Sequence, residues 1–186
     1  MTVIWLMIDM AMDDKNKRRV SFISGEDFYY ITYLSLLTIY QLAPRGSGVF
    51  KDHRKISFIA QIISKNTIIN TLMRYKNTEI VNVDDKDFIF SCFNKGFLHQ
   101  RDTLKILRSL EKKGVISLMR TAQPEVFDVF IDIKKNKAFF ESLFPVNLFD
   151  NEINNLFKFK ELNPTVNRTG LDRFIGMVFK NCGVEL

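Results

Sequence analysis

Arg101, Lys105, Arg108 and Lys112 recur at intervals of four, three and four residues. At about 100° per residue they fall within an arc of roughly 60° on one helix face. Like charges crowded on one stripe repel by roughly 0.2–0.5 kcal/mol per close pair. Asp102 and Glu111 project elsewhere and offset little of this. Such a stripe is what a recognition helix needs to meet phosphates or guanine edges. It has no Asn or Gln in mid-face to read adenine, and Gln100 stands at its edge. Contact with double-stranded DNA is therefore one expectation. A solvated face and a protein contact are the two that compete with it.

Metal and nucleophile chemistry find less support. Asp132-Ile133-Lys134, with Asp128 on the same expected strand, has the acid-x-Lys form of a Mg²⁺-dependent nuclease. There carboxylates hold the ion and the lysine positions the attacking water. Such a site also takes an acid from a neighbouring strand, and none is evident. Alternating charges on the outer face of a strand explain the same residues. Asp84, Asp85 and Asp87 read as the acidic start of a helix rather than a cation site. The two histidines, His53 and His99, stand on different elements, without ligand spacing or a triad pattern. Gly46-x-Gly48 lacks the later glycine and lysine of a phosphate loop and reads as a turn. The sequence points away from an enzyme and implies neither cofactor nor metal.

Composition bounds what can position these residues. Lys and Arg total 27 against 21 Asp and Glu, a net charge of +6. With 46% hydrophobic residues the chain is not a disordered tail protein. Phenylalanine is in excess, 18 of 186 residues, which either a large core or a large interface would use. No apolar run reaches the roughly 18–20 residues that span a bilayer, so no membrane partner is expected. Cys92 and Cys182 form neither a disulfide framework nor a Cys-x-x-Cys zinc pair, and a reduced, cytoplasmic chain is the expectation. Met1–Met12 is apolar, without leading positive charge or a cleavage site. It reads as an arm, carrying Trp5, that docks on the body or on a partner.

Patterning divides the chain into the arm, 1–23, a helical region, 24–83, a winged module, 84–135, and a Phe-rich helical region, 136–186. Ser24 and Asp27 have N-cap spacing for a helix that runs to about Ala43 and stops before Pro44. It is apolar except for a drifting stripe of Thr32, Ser35, Thr38 and Gln41. Phe50–Ser64 reads as the next helix, with Lys51, Arg54 and Lys55 in its first turn. Cations there oppose the helix dipole, so they are expected to serve a contact.

A helix from Asp84 is expected to end near Lys95-Gly96, and a second runs from about Gln100 to Lys113 with Gly114 at its C-cap. Strands over Val115–Arg120 and Val126–Ile133 follow. Helix, turn, helix, glycine stop, hairpin is the order of a winged helix-turn-helix. Helices over Lys137–Phe144, Asp150–Leu162 and Thr169–Cys182 close the chain, although Phe157-Lys158-Phe159-Lys160 alternates like a strand. The fold class expected is mostly α with a small β-hairpin, a winged helix-turn-helix core flanked by N- and C-terminal helices. Residues 136–186 hold eight phenylalanines, more than one small core is expected to bury beside the earlier ten. Trp5, Phe50, Arg54, Phe157, Phe159 and Phe174 are the candidate partner-binding residues.

Phe50-Lys51-Asp52-His53-Arg54-Lys55-Ile56, following the tyrosine- and leucine-rich helix, resembles a known family. It is similar to the middle component of three-component ABC-type systems, the small accessory subunit of Lamassu-type anti-phage defence complexes. The resemblance covers roughly Tyr29 to Ile133. It implies a non-catalytic subunit in a hetero-oligomer, linking an SMC-like coiled-coil ATPase to an effector nuclease in a complex that senses foreign DNA. It brings no catalytic residues to carry over. A free-standing winged-helix transcriptional regulator is the alternative that the basic helix allows.

Overall fold

The apolar run after Gly25 forms helix α1, Glu26–Leu42. Every residue from Ile31 to Ile39 is buried, so α1 has no solvent face along that stretch. The expected polar stripe is absorbed: Thr32 folds back onto the Phe28 carbonyl at 2.7 Å, and Ser35 and Thr38 lie inside the protein. The computed structural model describes residues 26–43, 48–76, 78–144 and 149–180. The N-terminal arm with Trp5, the Ser24 cap and Cys182 lie outside them.

Phe50 does not begin a helix. Val49–Phe50 is strand β1, paired antiparallel with β3, Phe127–Phe130, in the register Val49↔Phe130 and Phe50↔Val129. Strand β2, Ser117–Arg120, pairs with the other edge of β3, giving the sheet order β1-β3-β2. Two backbone positions enforce the strand. Gly48 has φ +63° and lies so close to β3 that a Cβ would sit 2.3 Å from the Ile131 carbonyl oxygen. Asp52 has φ +58°, which an α-helix cannot hold. Helix α2 therefore starts at Lys55 and ends at Ile63, with Lys51 and Arg54 ahead of it.

Helix α3, Asn66–Arg74, leads to α4, Val83–Leu98, and α5, Gln100–Lys112, with His99 alone between the last two. Asn82 caps α4 by accepting the Asp85 N–H at 3.1 Å. The Asp85 carboxylate takes hydrogen bonds from Arg74 and the Tyr75 hydroxyl, as an acidic first turn should. Gly96 does not stop α4. A Cβ on Gly96 would lie 2.4 Å from Phe58 Cδ1 and 2.9 Å from its Cα, so this glycine lets α4 press against α2. Gly114 is the real stop, at φ +72°, with Val115 N–H donating to Leu110 O at 3.1 Å and Gly114 N–H to Glu111 O at 2.8 Å.

Helices α6, Lys137–Leu143, α7, Asp150–Leu162, and α8, Leu171–Val178, follow, with a 3₁₀ turn at Val166–Arg168. α7 is unbroken through Phe157-Lys158-Phe159-Lys160, because Asn155 and Phe159 must both face inward one turn apart. The Asn155 amide donates to Ile63 O at 2.9 Å and Asn66 Oδ1 at 2.8 Å, fastening α7 to the α2–α3 turn.

The architecture is mostly helical with one small antiparallel sheet, and a single hydrophobic core collects residues from α1 through α8. That core corrects the expected division of the aromatics. Phe140, Phe159, Phe174 and Phe179 are buried at 1% exposure or less. Tyr33 stacks on Phe149 at 3.8 Å between ring centroids and Tyr40 on Phe140 at 4.8 Å, so α1 is plated by the C-terminal rings. Rings at 4–7 Å fill such a core with favourable stacked and edge contacts. No helix among the described residues is long and apolar enough to cross a membrane.

Candidate nucleic-acid interface

Helix α5 divides into two faces. Thr103, Ile106, Leu107 and Leu110 are buried, and Arg101, Lys105, Arg108 and Lys112 are all exposed. The inward face packs on α1 and α2, which fixes the axis of the helix and the direction of its cations. One neighbour departs from the sequence expectation. Asp102 does not project clear of the stripe: its carboxylate takes the Lys105 ammonium at 2.9 Å, which holds the acid below the usual carboxylate range. Among the described residues no ion pair reaches Arg101, Arg108 or Lys112. Glu111 is occupied elsewhere, accepting the Leu118 N–H at 2.7 Å and so tying the end of α5 to β2.

The β2–β3 hairpin that follows α5 is held by the segment Phe50–Ile56. Asp52 N–H donates to Asp128 Oδ1 at 2.9 Å, and His53 N–H donates to Phe127 O at 2.8 Å. In return Phe127 N–H donates to His53 Nδ1 at 3.2 Å, so that ring nitrogen carries no proton. Burial pushes the His53 imidazole below its usual pKa; Asp52 opposes the shift, while Arg54 and Arg108 add to it.

The same segment grips the C-terminal region. Asp52 is buried, and its Oδ2 accepts the Leu171 N–H at 2.8 Å and the Arg54 guanidinium at 2.8 Å. Arg54 Nε reaches Oδ1 at 2.9 Å, making the pair bidentate. Burial raises the Asp52 carboxyl, but the bonds from Arg54 and Leu171 outweigh it and hold the acid below its ordinary range. Lys55 is fully buried and donates to Val166 O at 2.5 Å and to Thr169 O, with its ammonium 4.7 Å from the centre of the Phe50 ring. Burial pushes this lysine down to about 8, against the pull of Asp52 and Asp128.

The candidate partner-binding residues fare unevenly. Phe50, Phe159 and Phe174 are at 1% exposure or less, because the sheet and the α2–α8 packing need them as core. Arg54 is half-buried and engaged by Asp52. Phe157 is exposed, and Trp5 lies outside the described residues. Lys55, expected with Lys51 and Arg54 to serve a contact, is instead sealed inside the fold, because burial gives no signal in the order of residues. Sequence reasoning missed Phe90 and Phe97, which are exposed on α4, although their spacing from Val83 is regular.

Asp128 and Asp132 do not form a metal cluster. Asp128 holds Asp52, and Asp132 caps the next turn by accepting the Lys135 N–H at 3.0 Å. Among the described residues no three His, Cys, Asp or Glu side chains come together in a metal-holding group. No family model, curated protein or solved structure matches this chain.

Proposed function

We propose that the chain is a non-catalytic accessory subunit that joins duplex DNA to a larger assembly. Its neighbours would be those the Phe50–Ile56 resemblance implies, an SMC-like coiled-coil ATPase and an effector nuclease. The observation that supports this reading is the outer face of α5. Arg101, Arg108 and Lys112 are exposed and free of acidic partners among the described residues, on a helix whose other face is locked into the core. Cations held that way repel one another unless an anion covers them. A row of phosphates supplies that anion at similar spacing.

Co-expression with the coiled-coil ATPase and the nuclease, followed by purification on this subunit, tests the assembly. A stable complex whose affinity for random duplex falls with salt is the expected result. A chain that ignores both proteins sinks the reading. The same stripe also suits a free-standing winged-helix regulator, and gel shifts of the isolated chain separate the two. A regulator binds one duplex roughly 10³-fold or more above random sequence; the accessory subunit shows no such preference.

A further inference from the structure

The ladder between β1 and β3 ends at the pair Phe50↔Val129. What holds the start of β3 beyond it is the turn before α2. Asp52 N–H donates to Asp128 Oδ1 at 2.9 Å, and His53 N–H donates to Phe127 O at 2.8 Å. Phe127 N–H donates in return to His53 Nδ1 at 3.2 Å, with the two rings edge to face at 5.6 Å between centroids. An antiparallel strand pair makes the same exchange of two bonds, but here an imidazole nitrogen replaces the second carbonyl. Phe127 faces Arg120 across the hairpin, so His53 holds the hairpin at the pair nearest its tip.

That replacement makes the bond conditional. A carbonyl accepts at any pH, whereas Nδ1 accepts only while it carries no proton. With a proton there, two donors face each other across 3.2 Å. The turn has little reserve to absorb the repulsion. Asp52 lies at φ +58°, a left-handed position uncommon for any residue but glycine, and is held in it by the bonds it makes.

The surroundings of the ring are set against the proton. Burial opposes it most; Asp52, in the same turn, favours it, while Arg54 of that turn and Arg108 of α5 oppose it. The Asp52 carboxylate is already committed to the Arg54 guanidinium and to the Leu171 N–H. Farther out, Lys55 of α2 feels Asp52 and Asp128 of β3, and Arg54 feels Asp172 of α8. The closed turn therefore holds a neutral ring.

We infer that His53 is a proton-operated latch on the β2–β3 hairpin: neutral, it pins Phe127 to the turn before α2, and protonated at Nδ1, it lets Phe127 go. The proton comes from solvent and binds the lone pair that had accepted the Phe127 N–H, and that hydrogen bond is the one that breaks. The hairpin tip then moves off the turn while Val129 stays paired with Phe50 and Leu118. The latch does not depend on the DNA reading, because it belongs to the chain with nothing bound.

NMR of the ¹⁵N-labelled full chain from about pH 7.5 to about pH 5 tests it. At the upper end His53 should show a bare Nδ1 and a protonated Nε2, with scalar coupling from Nδ1 to the Phe127 amide nitrogen through the hydrogen bond. As the ring titrates, this coupling and the cross-peaks between the His53 and Phe127 rings should fall with it. One pH unit below the midpoint of the ring they should be reduced roughly tenfold. Cross-peaks between Leu118 and Val129, and between Phe50 and Val129, should persist, which separates release of the tip from unfolding. His53→Gln offers an amide oxygen to Phe127 and has nothing to titrate, so its hairpin contacts should not change over the same range. A ring that stays neutral down to about pH 5 overturns the proposal, as does one that titrates with its coupling to Phe127 intact. Loss of the Leu118–Val129 contacts at the same midpoint is unfolding and also overturns it. So does a His53→Gln chain whose hairpin opens with the wild-type profile. Should that variant fail to fold, the wild-type spectra decide alone.

Discussion

Two sets of cations in this chain have opposite fates. Arg54 and Lys55 turn inward: one is clamped bidentate by Asp52, the other sealed under Phe50 with backbone carbonyls for acceptors. Arg101, Lys105, Arg108 and Lys112 turn outward, and among the described residues only Lys105 has an acidic partner, Asp102. The residue types are the same and the roles are not. A buried charge must be satisfied within the fold, so it fixes how segments meet. An exposed charge contributes little to folding and is available to a partner. The segment Phe50–Ile56 belongs to the first kind. It acts as a junction, holding β3 through Asp52 and His53 and the α7–α8 connection through Asp52 and Lys55.

The largest expected effect tests the inward set. Lys55→Ala leaves a cavity and strips the Val166 and Thr169 carbonyls of their donor, a loss of about 3–5 kcal/mol in chemical denaturation. A loss below about 1 kcal/mol would show that the junction does not depend on this lysine. Lys55 also gives a pH signature. Its folded pKa of about 8 lies below the ordinary 10.5, so between those values the unfolded chain holds the proton more tightly. Stability from this group therefore rises with pH through that window. The difference between wild type and Lys55→Met should reveal the rise, with the contributions of the tyrosines cancelling.

Asp52→Ala comes next, at about 2–3 kcal/mol, since it orphans the buried Leu171 N–H and places a Cβ residue without a polar anchor at positive φ. Exchange of the Leu171 amide with solvent, measured by hydrogen exchange, should speed up more than that of α3. If both change equally, Asp52 is not the local clamp.

A smaller, pH-dependent effect belongs to His53. Its folded pKa lies below 6.5, so as pH falls the unfolded chain takes up the proton first. The stability is present above about 6.5 and is lost as pH drops through the folded value. Between about pH 7 and about pH 5.5 the Tm of wild type should fall more steeply than that of His53→Gln. Parallel slopes would remove His53 from the junction.

Smallest of all for folding is the outward set. Arg101→Ala and Arg108→Ala should shift stability by no more than about 0.5 kcal/mol. In DNA titrations over a range of salt, each should lower the slope of log K against log salt by about 1. Unchanged slopes would return α5 to the role of a solvated face.

Much of the fold was legible because it rests on local rules. The α7 boundaries follow from its acidic first turn and from Pro164 beyond its end, the stop at Gly114 from the positive φ a glycine allows, and the hairpin from alternation at period two. The stripe on α5 was legible for the same reason, since helical periodicity places its four cations once the helix is granted. Gly96 was misread because a glycine at a helix end and a glycine at a helix crossing look alike in one dimension. Phe50 was misread because its pairing partner, Val129, is far along the chain. The C-terminal phenylalanines suggested surplus because the helices they cover, α1 for Phe140, Phe144 and Phe149 and α2 for Phe174 and Phe179, were counted as another region's core.

The sequence by itself determined which segments are helices, where most of them stop, and that one helix carries a single-signed face. Those are properties of backbone sterics and of neighbours within a turn. Only the tertiary structure decided which cations were buried, which phenylalanines became core and which face of α4 was left uncovered. Burial is a property of what packs opposite, and what packs opposite lies distant in the chain.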